Sequence, residues 1–176
     1  MKDLMVDIET MGTGNNAVIT QIGACMFDKE TGDIGETFTV NIDIQSCLNK
    51  GLVVNGDTIG FWLQQEGRSF LKNPISLDEA LSLFYLFCKD KKINAVWAHA
   101  TFDFPILANA YSACEMRLPF HFRAMKDLRT LVYLSGTLVE VAKVGKTHDA
   151  LDDCKFQVNY FKEYYKIINA KKCKCK

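Results

Sequence analysis

The sequence predicts a mixed α/β chain built on one central sheet, and three observations predict it. Three strand-like segments with short connections, Leu4 to Ile8, Ile19 to Phe27 and Thr37 to Ile44, read as an antiparallel meander. A short apolar segment, Asn94 to Ala98, follows helical sequence and reads as a buried parallel strand reached by a crossover. The other long segments carry apolar residues at helical spacing. Helices packed on a single sheet bury all of these faces at once. At 176 residues, 48% of them apolar, the chain can form one domain with a sizeable core.

The elements follow in order. The first strand ends at Asp7-Ile8-Glu9 and runs into a turn from Thr10 to Gly14. Asp28-Lys29-Glu30-Thr31-Gly32-Asp33 is a hairpin-type turn, rich in residues that tolerate left-handed backbone angles. From Gln45 to Gly56 the signal is mixed. Thr58 to Glu66 reads as a helix with Ile59, Trp62 and Leu63 on one side. Ser76 with Glu79 three residues on forms a capping box before Leu77, Ala80, Leu81, Phe84 and Cys88. Phe104 to Ala113 is a helix that tolerates Pro105 in its first turn. Pro119 to Arg123 reads as a short strand, and Asp127 as the cap of a helix to Leu134. Ser135 to Thr147 is a loop, and a last helix runs from about Asp149 to the Ile167 region. Residues 1–170 form the expected domain, and 171–176 a lysine- and cysteine-rich tail.

Net charge is zero, which gives no global attraction for a polyanion and argues against a non-specific nucleic-acid coat protein. No run approaches the length of a membrane span, and the start lacks a secretory leader, so a soluble cytoplasmic protein is expected. The Cys count of 7 is odd and the spacing irregular, as for reduced thiols in a core rather than a disulfide framework. Cys173-Lys174-Cys175 falls short of a zinc site and reads as a frayed tail.

The chemistry is carried by acids at element ends. Asp7 and Glu9 close an apolar strand, where an unpaired ionised carboxylate is costly. A divalent cation with a taste for hard oxygen, Mg²⁺ or Mn²⁺, answers that cost, although a solvated strand end is the plainer alternative. Asp103 lies past the Asn94 to Ala98 strand and before a helix, as a ligand or simply a cap. His148 precedes a helix start that carries Asp152 and Asp153. It can share a site with Asp153 only by lying before the helix and reaching back over the first turn. Asp7, Glu9, Asp103 and Asp153 with His148 supply hard oxygens plus one group that titrates near neutrality. That set suits phosphoryl chemistry with two ions about 4 Å apart, His148 taking the proton of the attacking water.

On these residues the chain resembles the DEDDh family of 3′–5′ exonucleases, with a ribonuclease-H-like fold. Asp7-Ile8-Glu9-Thr10-Met11-Gly12 matches its first motif, Phe102-Asp103 its second, and His148 through Asp153 its third. Further blocks, Gly56 to Gln65, Ala100 to Leu107 and Asp127 to Leu131, are similar to its exonuclease VIII-like, largely phage-associated branch. The resemblance covers about Met1 to Tyr160. His99 departs from it, standing where many relatives carry Gly or Asn, and either touches substrate or serves in a polar shell.

The resemblance implies a central mixed five-stranded sheet, three antiparallel strands then parallel ones, flanked by helices. It implies two divalent cations, Mg²⁺ or Mn²⁺, held by Asp7, Glu9, Asp103 and Asp153, with His148 as general base. It implies a nucleic-acid partner with a single-stranded 3′ end, DNA favoured, and no membrane. A phage-encoded member would work in the bacterial host cytoplasm. Thr10 and Met11 would hold the terminal nucleotide by their backbone, Phe102 would stack near its base, and Lys143 and Lys146 would contact phosphate or carry solvated loop charge. Trp62 and Trp97 are assigned to the core, and Arg129 to an internal network or to phosphate. An exoribonuclease, or a non-catalytic nucleic-acid-binding module on the same fold, are the alternatives.

Overall fold

Strand β1 (Asp3–Thr10) occupies the middle of a five-stranded sheet of order β3-β2-β1-β4-β5. The computed structural model describes residues 2–65, 68–143 and 145–174. β2 (Ile19–Phe27) pairs antiparallel with β1, and β3 (Ile34–Asn41) antiparallel with β2. β4 (Ala95–Ala98) runs parallel to β1, and β5 (Met125–Asp127) parallel to β4. The expected sheet, three antiparallel strands and then parallel ones, is the observed one.

Every residue of β1 is buried, so its alternation decides which core each side chain enters. Leu4, Val6 and Ile8 join the core under α3 (Leu77–Lys89) and α4 (Asp103–Ala113). Met5 joins the opposite core under α5 (Leu128–Ser135) and α6 (Ala150–Lys174). Asp7 and Glu9, in phase with Met5, therefore turn toward α6. Phe161 of α6 anchors that layer, with ring centroids 5.1 Å from Phe27 and 4.7 Å from Trp97. Truncating such a buried aromatic to alanine costs about 3–5 kcal/mol. Trp97 keeps its indole N–H satisfied by donating to Asp3 Oδ2 at 3.0 Å.

The cap residues act as read. Ser76 accepts from the Glu79 N–H at the start of α3, and Asp127 Oδ2 from the Thr130 N–H at the start of α5. Asp127 also accepts from the Ala100 N–H through Oδ1, which ties the end of β4 to α5. Three expectations change. The third strand, expected over Thr37 to Ile44, is β3 over Ile34–Asn41, and Ile44 opens a helix instead. The mixed stretch from Gln45 contains α1 (Ile44–Asn49), a helix with one buried residue, Cys47, and so without a periodic signal. The strand expected at Pro119 to Arg123 lies instead at Met125–Asp127, and Phe122–Ala124 form a 3-10 turn. Its aromatic content came from packing, not ladder pairing: Phe120 sits against Phe84 and Phe104. The helix expected from Thr58 is α2 (Gly56–Gln64); Glu66, where that expectation ended, lies outside the described residues.

The start of α6 lies directly on Gly23 of β2, the residue opposite Asp7 in the β1–β2 register. The backbone of α6 continues to Lys174, beyond the boundary expected at 170, while the side chains of 171–176 lie outside the description, those of Cys173 and Cys175 among them. The cysteines described, Cys25, Cys47, Cys88, Cys114 and Cys154, are free. Among the described residues, no helix is long and apolar enough to cross a membrane.

Candidate metal centre

Asp7 and Glu9 leave β1 on the same face and are each only 9% exposed. Burial, reinforced by the Asp103, Glu9 and Asp153 carboxylates, raises Asp7 well above its ordinary range. Burial and then the Asp153 and Asp149 charges push Glu9 up to about 8. Gln157 Nε2 donates to Asp7 Oδ1 at 2.7 Å and fixes its orientation from α6.

Asp103 is the first residue of α4, not its cap. The cap position is Phe102, which makes no side-chain capping bond. Asp103 is 1% exposed, and its Oδ2 is buried without a hydrogen-bond partner. Burial pushes its carboxyl up to about 7. An orphaned oxygen of this kind is expensive unless something positive meets it.

His148 and Asp153 arrive from the other side. His148 has φ +60°, a left-handed angle that costs a non-glycine residue about 1–2 kcal/mol. The bend stands just before α6 and leaves the imidazole over the first turn, edge-on to Phe61 at 5.0 Å and Trp62 at 5.6 Å. The helix start is itself pinned. The Ala150 N–H donates to Gln21 Oε1 at 2.7 Å, and Asp149 Oδ2 accepts from Ser69 Oγ at 2.8 Å. Asp152, the neighbour of Asp153, accepts from the Lys146 N–H at 3.0 Å and so holds the loop.

The outcome is two groups of ligand-type atoms. Those of Glu9, His148 and Asp153 lie within 4.8 Å of one another, and so do those of Asp7, His99 and Asp103. All these residues line one cleft of about 450 Å³, together with Phe102, Arg129, Lys143 and Gln157. The structure therefore brings together the five residues that the motifs singled out. Lys143 pairs with Asp153 there.

The expected nucleotide contacts divide. Phe102 lines both the acid cleft and an adjoining cleft of about 330 Å³, formed with Thr10, Gly12, Thr13, Thr58 and Phe61. Thr10 Oγ1 donates to the Gly12 carbonyl, and the Thr10 carbonyl accepts from Trp62 Nε1 at 2.9 Å. Met11 lines neither cleft. Its side chain enters the core, its N–H donates to Val18 O, and its carbonyl accepts from the Asn55 N–H. Gly12 and Thr13, the next two residues, line the adjoining cleft. Lys146 lines a neighbouring cleft with Arg68 and Lys72, which shares His148, whereas Lys143 faces the acids.

Sequence reasoning passed over Gln157 and left His99 open between a substrate contact and a polar shell. Gln157 stands four residues after Asp153, one helical turn on, and that spacing alone places it on the same face. His99 Nε2 lies 3.3 Å from the Tyr160 hydroxyl of α6. Burial and the Arg129 charge hold its imidazole below the ordinary histidine value.

Solved structures with this architecture define the class of fold. E. coli exonuclease I in complex with a dT13 oligonucleotide superimposes with a TM-score of 0.68 over 91% of this chain and 40% of its own, at 14% identity. The same enzyme with a dA16 oligonucleotide gives 0.68 over 95% and 42%, also at 14% identity. A further exonuclease I structure gives 0.69 over 93% and 42%, at 13% identity. The fold is thus ribonuclease-H-like, and the chain spans about two fifths of the exonuclease I chains it matches.

The particular family follows from the sequence profile that matches residues 2–165, described as the 3′–5′ exoribonuclease Rv2179c-like domain. The chain belongs to this Rv2179c-like family of 3′–5′ exonucleases. No curated protein matches it.

The residues fit a divalent cation. The donor set is hard carboxylate oxygen with imidazole, the Asp7, Glu9 and Asp103 carboxylates are buried, and the Asp103 Oδ2 has no protein partner.

Proposed function

We propose that the chain is a divalent-metal-dependent 3′–5′ exonuclease that removes nucleoside 5′-monophosphates from single-stranded 3′ ends. The convergence of Asp7, Glu9, Asp103, His148 and Asp153 on one cleft is the observation that carries this reading. Asp7 groups with Asp103 and also feels the Glu9 and Asp153 charges, so it would serve both ions; Glu9 and Asp153 would hold one and Asp103 the other. When bound, two Mg²⁺ or Mn²⁺ ions supply Lewis acidity to the attacking water and to the leaving oxygen.

The chain's own residues do the rest. His148 removes the proton of the water, with its ring set by Phe61 and Trp62. Burial around Asp7, Glu9 and Asp103 excludes bulk water and strengthens each electrostatic contact. The terminal nucleotide lies in the adjoining cleft, its base beside Phe102 and Phe61 and its sugar near Thr10, Gly12 and Thr13. Lys143, on the loop before His148, meets phosphate at the acid cleft. The nucleic-acid strand continues past Arg129 into a larger cleft of about 840 Å³, lined by Tyr160 and Phe156.

DNA is the proposed substrate, on the resemblance of the motif blocks to the exonuclease VIII-like branch. RNA is the second reading, favoured by the exoribonuclease description of the family. End-labelled single-stranded DNA, duplex DNA and RNA, each with Mg²⁺, Mn²⁺ or chelator, test both. The expected result is stepwise shortening of the single-stranded DNA from its 3′ end, with metal only, and none by Asp7→Ala. Full activity of Asp7→Ala, or binding of single strands with no degradation in Mn²⁺, overturns the assignment.

A further inference from the structure

The second group of ligand-type atoms contains a nitrogen that the four-carboxylate motif does not supply. Asp7, His99 and Asp103 offer two carboxylates and an imidazole within 4.8 Å of one another. His99 follows the last residue of β4, and the Phe102 and Asp103 N–H groups both donate to its carbonyl, at 2.8 and 3.1 Å. Its backbone is therefore locked to the turn that presents Asp103. Tyr160 gives the ring a polar partner at Nε2. Ligating imidazoles are ordinarily held in this way by a second group. Within the same trio, the Asp103 Oδ2 is buried and has no hydrogen-bond partner.

We propose that His99 is a ligand of the ion held by Asp7 and Asp103, and that its nitrogen tilts this position toward a first-row transition ion over Mg²⁺. The inference rests on the two-ion reading above. Mg²⁺ favours all-oxygen octahedral surroundings and Mn²⁺ also suits carboxylate, whereas imidazole suits the later ions Fe²⁺, Ni²⁺ and Zn²⁺. The Glu9 and Asp153 position keeps its carboxylates, and His148 is reserved there for the proton. The two positions of one cleft thus differ in chemistry, and the chain discriminates between metals at one of them.

The test uses the full chain with Mn²⁺ and Zn²⁺. The protein has only three histidines, and His121 accepts from the Arg123 N–H in an exposed turn outside both trios. Pulsed EPR of His148→Gln with one and two equivalents of Mn²⁺ reads nitrogen bound directly to the ion. The expected result is a ¹⁴N coupling of a ligated imidazole, which disappears when His99→Gln is added. Calorimetry gives a second readout: His99→Asn lowers Zn²⁺ affinity by about tenfold or more and Mg²⁺ affinity by less than about threefold. Mn²⁺ that binds His148→Gln tightly without ¹⁴N coupling overturns the role of His99 and leaves the two-ion reading intact. Failure of the wild-type chain to bind Mn²⁺ overturns both.

Discussion

Gly23→Ala isolates the placement of the site from its chemistry. Gly23 lies opposite Asp7 in the β1–β2 register and touches no substrate cleft. A Cβ added there would stand 2.3 Å from the Ala150 carbonyl carbon and 2.4 Å from the Leu151 nitrogen, both backbone atoms. Ordinary contact begins near 3.4 Å, so the first turn of α6 must retreat from the sheet by about 1 Å. That turn carries Asp153 and follows His148, whereas Asp7 and Glu9 stay on β1. Metal–oxygen distances tolerate about 0.2 Å, so a 1 Å retreat removes Asp153 from any ion held by Glu9. The global cost is that of ordinary overpacking, about 1–3 kcal/mol. Calorimetric Mn²⁺ titration of folded Gly23→Ala is expected to show affinity reduced by tenfold or more, on the order of a lost supporting interaction. Gly60→Ala is the control. A Cβ at Gly60 of α2 meets nothing within 4 Å, and this change should add about 0.5–1 kcal/mol of stability. Wild-type metal affinity in Gly23→Ala would refute the claim that the contact of α6 with β2 sets the geometry.

Three further outcomes follow, two from the buried charge and one from His148. In chelator, stability should fall as pH rises from about 4.5 to about 8, because burial holds Glu9 near 8 and the native state then binds more protons than the unfolded chain. Melting temperatures taken between pH 5 and 8 check this: saturating Mn²⁺ should abolish the decline, and a rise with pH in chelator would contradict it. Asp7→Asn removes a carboxylate that Asp103, Glu9 and Asp153 all repel. It should raise metal-free stability by on the order of 1–3 kcal/mol at pH 8, read as a higher melting temperature, while hydrolysis is lost. His148→Ala should slow hydrolysis by about 10²–10⁴-fold with Mn²⁺ affinity within a few fold of wild type; calorimetry beside single-turnover rates separates the two.

The sheet was legible because its signals are local. The apolar run before Asp7, the turn at Asp28 to Asp33 and the short segment before His99 each announce a strand, and one domain must pair them. The acids were legible as a set because each sits at an element end, where a charge in an apolar setting stands out. Helix α1 was not, since six residues with one buried side chain leave no period to read. Strand β5 was displaced because Phe120 and Phe122 look like strand residues, yet only the Val96–Met125 register decides which residues pair. Met11 illustrates the same limit at the site. Its motif position suggested a backbone contact, and the sequence does not reveal that Val18 and Asn55 hydrogen-bond its N–H and carbonyl. His99 needed the third dimension: one histidine in an apolar stretch says nothing until Asp7 and Asp103 are found beside it.

The central claim is that one cleft holds two divalent ions, divided between Asp7 with Asp103 and Glu9 with Asp153. Anomalous diffraction from a crystal grown in Mn²⁺ tests it most directly. The account predicts two anomalous peaks about 4 Å apart, one beside Asp103 and one beside Glu9 and Asp153, with Asp7 reaching both. A cleft with no anomalous peak, at a Mn²⁺ concentration that supports hydrolysis, would contradict it.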